Sequence, residues 1–553
     1  MIGILLLAAA VRLWGIDYGL PCTYCRPDED RLIATALRLS CADLNPHYFI
    51  WPGLFFYLTR SILEVATWGY RLVAGSFIGS SRDLYVADPA YFHLVLRYIF
   101  CGFGVATICL IYRLGHKLFS STVGFLSAFF LALTFLHVRD SHFAMLDIPV
   151  TLLGVGSLLA AWTVFCRGRW RDYLLAGVLL GLAMATKYYA VILTIPLITA
   201  YLSRRDPSTA YSGSGKGTVR LLISVTIAAI IFILVSPYTL LDFSAFLREI
   251  RTGIISPQLV DGFHLLPDLN TDRGWLYHIT FSLRYGLGWP LEILALMGVG
   301  YAVWRAFKGA IPERLILSFV LPFYLVLAFQ KSCFIRYTTL LLPFLCLLGA
   351  VLLLRIIPRH RFRGLFLVGA VLLLVLEPAI RIVQLDRLLS RPDTRLIAGT
   401  WMKDHISPES GVIFLQPTIF GRPDEFFSYP NRLSLPDWAG TEMLRGLLSS
   451  PVPEKKYAVI SEHSLSYSDL NLDMKVLLEE ESEEIYTIKG GGEGNQDVIY
   501  DPFDAFYLPL AGFGGVNFPG PGIRVFYLDS ARPAESGLAT YLHRRDAESA
   551  EED

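Results

Sequence analysis

The sequence predicts a mainly α-helical, polytopic membrane protein with about 11 transmembrane helices and a C-terminal soluble α/β domain. Three observations predict it. Of 553 residues, 54% are hydrophobic and only 17% charged, with a mean hydropathy of +0.49; a soluble domain carries about a quarter charged residues. Apolar runs of spanning length recur as far as Ile380. The chain beyond changes texture, to Pro and Gly turns, acidic stretches such as Glu479–Glu484 and short β-type runs. The net charge is +0, so no global field favours nucleic acid and no nucleic-acid partner is expected.

The elements follow in order. Ile2–Val11 has no basic residue before it and no convincing cleavage site after it, and reads as a retained first helix. Strong spans run Leu94–Leu114, Val123–Leu136, Pro149–Phe165, Val219–Ser236, Leu291–Phe307, Leu315–Phe329, Tyr337–Leu354 and Leu365–Ile380. The run Tyr173–Leu202 is interrupted by Thr186-Lys187-Tyr188-Tyr189 and reads as two short, tilted helices meeting at a membrane surface. With that split, five basic clusters fall on one side: Arg113 and Lys117; Arg167, Arg169 and Arg171; Arg204 to Arg220; Arg305, Lys308 and Arg314; Arg355 to Arg363. The positive-inside rule makes that side cytoplasmic. The opposite side receives a first external loop at 15–90, a second at 137–148, a later one at 237–288 and a short connection at 330–336. The expected division is a membrane domain, 1–380, and an extracytoplasmic α/β domain, 381–553. Strands are expected at Gly411–Leu415, Tyr457–Ser461 and Ile523–Leu528, and a disordered end at Arg544–Asp553.

Eight cysteines are scattered. Cys101, Cys109 and Cys166 lie in apolar runs and read as small hydrophobes. Cys22 and Cys25 form a C-x-x-C pair that suits either a redox pair or an ordinary loop, and no second pair follows at a zinc-site spacing. Ser212-Gly213-Ser214-Gly215-Lys216-Gly217-Thr218 lacks phosphate-loop spacing and reads as a linker.

The candidate chemistry is external. In Arg26-Pro27-Asp28-Glu29-Asp30-Arg31 the proline and acids suit a helix start, with Pro at the first helical position. Beyond them Leu32, Ile33, Ala36, Leu37 and Leu39 oppose Asp28, Arg31, Thr35 and Arg38, as in an amphipathic helix lying on the outer membrane surface. The aromatic stretch around Tyr48, Phe49 and Trp51 suits an interface belt or a sugar platform. The second loop carries Asp140, His142 and Asp147; Asp147 suits a helix N-cap, and a lone His is commonly a satisfied polar group. Carboxylates near a membrane are costly unless hydrated or paired and often mark function. Lys187, Lys331 and Arg336 run against the charge bias, and suit snorkelling or a phosphate clamp.

Taken in order, Arg26-Pro27-Asp28-Glu29, Asn45-Pro46…Phe49…Trp51-Pro52, His142-Phe143-Ala144…Asp147-Ile148-Pro149, Thr186-Lys187-Tyr188, Arg336-Tyr337…Leu342-Pro343-Phe344 and Asp393-Thr394-Arg395…Trp401 resemble the protein O-mannosyltransferase and aminoarabinose transferase group of C-type membrane glycosyltransferases. The resemblance covers most of the chain; the soluble domain is not similar to the β-trefoil module of eukaryotic protein mannosyltransferases and looks closer to that of bacterial relatives. It implies a multi-pass protein of the cell (inner) membrane. Its activity would be transfer of a sugar, with inversion, from a polyprenyl-phosphate donor to a hydroxyl of a glycan, lipid or protein on the extracytoplasmic face. It maps the catalytic carboxylate onto Asp28, with Glu29 beside it and Asp147 as the second-loop acid. Arg31 fits an arginine near the lipid phosphate, Lys187 matches a family lysine between the two short helices, and Lys187, Arg336 and His142 are added as substrate-binding candidates. Ile50 and Trp51 replace an acid and a lysine of the aminoarabinose branch, so no metal site is supported there, although acidic pairs suit a divalent cation as well as a base. The rival reading is a lipid-linked sugar transporter or flippase, which would typically carry internal repeats; none is evident.

Overall fold

The computed structural model describes residues 1–75, 79–204, 215–260, 274–358, 361–415, 431–434, 441, 444, 446, 455–465, 470, 472–491, 497–504 and 506–528. Of the expected linker at 212–218, residues 212–214 lie outside the described residues, as does the expected disordered end, and 215–218 are helical instead, opening the apolar helix Gly215–Val235. The chain forms two compact units, one of residues 1–17 and 28–390, the other of 18–27 and 391–553. The boundary falls after the expected 381 because the last apolar helix continues to Leu389.

The first unit is helical. Helix α1 (Ile2–Leu13) precedes a first long loop that holds α2 (Glu29–Arg38), α3 (Leu54–Ala74) and α4 (Ser81–Ala87). Then come α5 (Pro89–Leu118), α6 (Ser121–Ala132), α7 (Phe135–Ser141), α8 (Asp147–Cys166), α9 (Trp170–Met184), α10 (Thr194–Ser203) and α11 (Gly215–Val235). The short helices α12 (Tyr238–Leu241), α13 (Phe243–Ile250), α14 (Gly274–Tyr277) and α15 (Arg284–Leu287) lead to α16 (Trp289–Phe307), α17 (Ile311–Ala328), α18 (Leu342–Ile356) and α19 (Arg363–Leu389).

Seven helical stretches among the described residues are long and apolar enough to cross a membrane, or eight if α6 and α7, bent by 62°, count as one. The expected eleven also included Ile2–Leu13, Trp170–Met184 and the stretch ending in Thr194–Ser203, helices of 12, 15 and 10 residues. Each is shorter than the roughly 20 residues that one crossing takes. An apolar run shows where lipid is tolerated; it does not show where backbone hydrogen bonding breaks. The split of Tyr173–Leu202 is present, with α9 ending at Met184 and a 3₁₀ turn at Tyr188–Leu193. The chain is an integral, multi-pass membrane protein. Its helices approach closely at small residues: a Cβ on Gly177 or Gly181 of α9 would meet the Ser224 and Ala228 carbonyls of α11.

Helix α2 departs from expectation. Its apolar face packs into protein, where Leu32, Ile33 and Ala36 join Phe55 and Phe56 of α3 and Phe92 and Phe100 of α5. Thr35, expected on the polar face, is also buried. Amphipathic periodicity identifies a face that avoids water, and both lipid and a protein core satisfy it.

The second unit contains a five-stranded mixed sheet: β1 (Gly411–Phe414), β2 (Asn431–Ser434), β3 (Lys456–Glu462), β4 (Glu483–Ile488) and β5 (Gly522–Leu528), ordered β2-β1-β3-β5-β4. β1 is parallel to β2 and β3, and β5 runs antiparallel to β3 and β4. Alternating residues feed two cores. Ile413, Ala458, Ile460 and Phe526 pack with Met474, Leu477 and Leu478 of α21 (Leu472–Glu481), the helix after α20 (Thr394–His405) among the described residues. Val412, Tyr457, Val459 and Val525 pack with Ala398 and Met402 of α20. The three expected strands are present within a residue or two of their expected ends. Residues 18–27 belong to this unit through Tyr18, whose hydroxyl donates to Asp393 at 2.8 Å, and Arg26, which pairs with Asp504 at 2.9 Å and lies over Phe506. Cys22 and Cys25 are buried free thiols here.

Candidate functional site

Two acids stand at helix starts, and neither caps its helix. Asp28 is the N-cap residue of α2, with Pro27 just outside the helix rather than at its first position. Its φ is +77°, a left-handed conformation that Asp adopts more readily than most residues and that costs about 1 kcal/mol. Its side chain makes no cap hydrogen bond. It pairs instead with the Arg336 guanidinium at 3.0 Å, the acid 32% and the base 11% exposed. Arg336 is carried on the 3₁₀ turn Ile335–Leu341 that leads into α18, and it lies over Phe334.

Asp147 behaves alike. Leu146 is the N-cap residue of α8, and Asp147 is its first helical residue. One carboxylate oxygen accepts from the Tyr189 hydroxyl at 3.4 Å; the other lies 3.6 Å from Lys187 Nζ and has no hydrogen-bond partner among the described residues. Asp147 is 2% and Lys187 14% exposed, so this pair is held in a low-dielectric setting where each charge depends on the other. The break between α9 and the following 3₁₀ turn delivers Lys187 and Tyr189 there, which is the chemical consequence of the interrupted helix.

The two pairs share an aromatic floor. The Tyr337 hydroxyl is within electrostatic reach of Arg336, Asp147 and Asp28, and Tyr48 within reach of Asp28, Arg31 and Arg336. Arg31, exposed, lies 5.4 Å over Tyr48, and Lys187 lies 5.9 Å over Trp51, which meets Tyr48 edge to face. The 45–53 segment is pinned beneath them. Phe49 N–H donates to Glu249 at 2.7 Å, Tyr188 donates to the Phe49 carbonyl at 2.9 Å, and Gly53 N–H donates to Ser236 at 2.9 Å. Five sequence candidates therefore gather: Asp28, Arg31, Asp147, Lys187 and Arg336.

Glu29 and His142 are engaged elsewhere. Glu29 is fully buried and receives Arg97 through both oxygens, at 2.6 to 3.2 Å, together with the Ala144 N–H at 2.7 Å. Burial opposes its ionisation, but the Arg97 charge and hydrogen bonds and the Ala144 amide outweigh it and hold its carboxyl below the ordinary value. His142 is buried, with Nδ1 2.9 Å from the Val138 carbonyl, Nε2 3.2 Å from the Trp14 carbonyl and Asp386 at 3.5 Å. Asp140, the other second-loop acid, is spent on Arg139 and Thr339. Lys331 donates to the Val260 carbonyl at 2.6 Å. Among the described residues no group of three or more His, Cys, Asp or Glu side chains is placed to hold a metal ion. Tyr189 and Tyr337 went unmarked as site residues in the sequence; their adjacency to Lys187 and Arg336 was the available signal.

Residues 93–241 match the family model for dolichyl-phosphate-mannose-protein mannosyltransferases. The fold matches ArnT from Cupriavidus metallidurans, solved with undecaprenyl phosphate bound, at 13% identity over 96% of this chain and 98% of that one, with a TM-score of 0.53. It also aligns with the Archaeoglobus fulgidus oligosaccharyltransferase solved with zinc and sulfate, at 14% identity, 78% coverage and a TM-score of 0.45; this chain spans 61% of that one. Arabinofuranosyltransferase AftD from Mycobacteria aligns at 14% identity over 96% of this chain and 42% of its own, with a TM-score of 0.44. No curated protein sequence matches the chain. The family model covers residues 93–241, and the likeness to ArnT is one of fold.

Proposed function

We propose, for a chain with the fold of the C-type membrane glycosyltransferases, that it moves a sugar from a polyprenyl-phosphate donor to an acceptor hydroxyl, with Asp28 as general base. The observation that carries this is the gathering of two carboxylates, each declining its helix cap, with three cations around an aromatic floor. ArnT, which shares the fold, was solved with a polyprenyl phosphate bound, and this supports the donor class.

The cations supply the phosphate site. Arg336 and Lys187 are satisfied by Asp28 and Asp147 before the donor binds. A phosphate brings a competing anion with stronger, charge-assisted hydrogen bonds. As Arg336 turns to it, the Asp28 carboxylate is released toward the acceptor. The acceptor oxygen then attacks the anomeric carbon from the face opposite the phosphate, and its proton passes to Asp28. The bond from the anomeric carbon to the phosphate oxygen breaks and its electrons stay on the phosphate. Inversion follows from this single displacement. General-base assistance of this kind contributes about 10²–10⁴-fold, and cations preplaced where charge develops lower the barrier further. Asp147 holds Lys187 in place, Arg31 guards the exposed edge, and Glu29 positions Asp28 by anchoring the start of α2. The reaction runs on the extracytoplasmic face in this proposal, and the clustering of basic residues at the other ends of the helices supports that side. His142, tied to backbone carbonyls, supports the second loop.

The test is Asp28→Asn, with expression and membrane insertion verified, assayed for release of polyprenyl phosphate from a radiolabelled lipid-linked sugar pool. Loss of release by about 10²-fold or more is expected. Wild-type turnover would sink the assignment. Movement of intact donor across vesicles without bond cleavage would favour a flippase.

A further inference from the structure

The opposite end of the bundle carries a second polar site that the transfer reaction does not use. Helices α8 and α18 begin beside Asp147 and Arg336 and run away from them. At their far end the C-terminus of α5, the start of α6, the α16–α17 connection and the α18–α19 connection surround a cavity of about 690 Å³. This is the end the positive-inside rule assigns to the cytoplasm.

The lining has two characters. Arg305, Arg355 and Arg363 supply three guanidinium groups against one carboxylate, Glu313. Arg305 is engaged by Glu313 at 3.3 Å, and Arg363 donates to the Leu354 carbonyl at 3.3 Å. Arg355 is exposed and has no ion pair among the described residues. Two cations are therefore in excess. The N-termini of α6 and α17 reach the same lining through Ser120, Thr122 and Pro312, and add positive potential. The remaining wall is apolar, with Leu118, Val123, Val351 and Leu367. A soluble anion would need the cations and have no use for that wall. A purely apolar ligand would leave the arginines in competition with water.

We propose that this cavity holds the phosphate headgroup of an anionic membrane lipid. Arg355 and Arg363 are its charge partners, and the apolar wall receives the start of its acyl chains. Basic pockets between transmembrane helices at the cytoplasmic face are the setting in which such headgroups bind. Because the site lies between the ends of α5, α16, α18 and α19, its occupant would tie the two halves of the bundle together.

The full chain, purified in detergent and titrated with phosphatidylglycerol, provides the test, read as bound lipid by native mass spectrometry. One phosphatidylglycerol is expected to be retained in preference to phosphatidylcholine. Arg355→Ala with Arg363→Ala is expected to weaken retention about tenfold or more. The charge-keeping pair Arg355→Lys with Arg363→Lys is expected to retain it within about threefold, which separates charge from folding. Arg361→Ala, outside the cavity, is expected to change nothing. Undiminished retention in the double alanine variant would overturn the proposal, as would equal weakening by Arg361→Ala. Displacement of the lipid by glycerol 1-phosphate at equal concentration would overturn it too, since the site would then belong to a soluble anion.

Discussion

Asp28 and Glu29 are neighbours in the chain with opposite surroundings. Glu29 points into protein, where Arg97 and the Ala144 amide take up both of its oxygens. Asp28 points to a half-open space and holds one cation, Arg336. The left-handed backbone at Asp28 marks the step between the two directions. The comparison teaches that a charge available for chemistry is recognised by what its surroundings leave unfilled. A carboxylate with every lone pair engaged in a dry pocket holds structure together; one with a single, exchangeable partner can accept a proton.

The largest expected effect breaks the two apart. Asp28→Asn should lower transfer by about 10²–10⁴-fold with an unchanged melting temperature. Glu29→Gln should do the reverse in kind, destabilising the first unit by about 3–5 kcal/mol through the uncompensated Arg97, measured by thermal unfolding in detergent. Equal melting losses in both variants would erase the distinction.

Acid provides a second contrast. The Glu29 carboxyl titrates below its ordinary value of 4.5, so its contribution to stability is fully present above that pH. It is lost as pH falls further, through the lower folded value, because the unfolded chain then binds the proton first. Melting temperatures taken between pH 5 and 3 should fall more steeply for wild type than for Glu29→Gln. A parallel fall would assign the acid sensitivity elsewhere.

Two smaller effects sharpen the Asp28 side. Lys187→Ala leaves Asp147 buried without its cation, and should reduce turnover about tenfold while raising the donor KM; restoration by Lys187→Arg would identify charge as the cause. Arg31→Ala removes an exposed cation from Tyr48 and should raise the donor KM only about two- to fivefold, in line with a cation–π contact of about 0.5–1 kcal/mol. A kcat loss at Arg31 as large as that at Lys187 would contradict this order.

Much of the architecture was legible in advance because its cause is local. Apolar runs such as Leu94–Leu114 sit inside the helices observed, and the interruption at Lys187 marked a real break. Strands β1, β3 and β5 followed from short apolar runs between turn residues. The candidate residues were legible too, since acids and cations stranded among loops are rare in a chain with so little charge. The sorting within it was not. Glu29 and Asp28 differ only through Arg97, 68 residues away, and Arg336, still more distant. Helix α2 was amphipathic in either setting, and only its neighbours α3 and α5 decide that protein covers it.

The sequence by itself determined that this is a membrane protein, which end of its helices is basic, and which residues could carry charge to the other end. Hydropathy and charge bias act residue by residue against a uniform solvent, so composition and order suffice. Only the tertiary structure decided which of those charges are enclosed with their partners and which keep an open side. Ion pairs and hydrogen bonds need contact distances of a few ångströms, and the fold alone brings residues from distant parts of the chain within that reach.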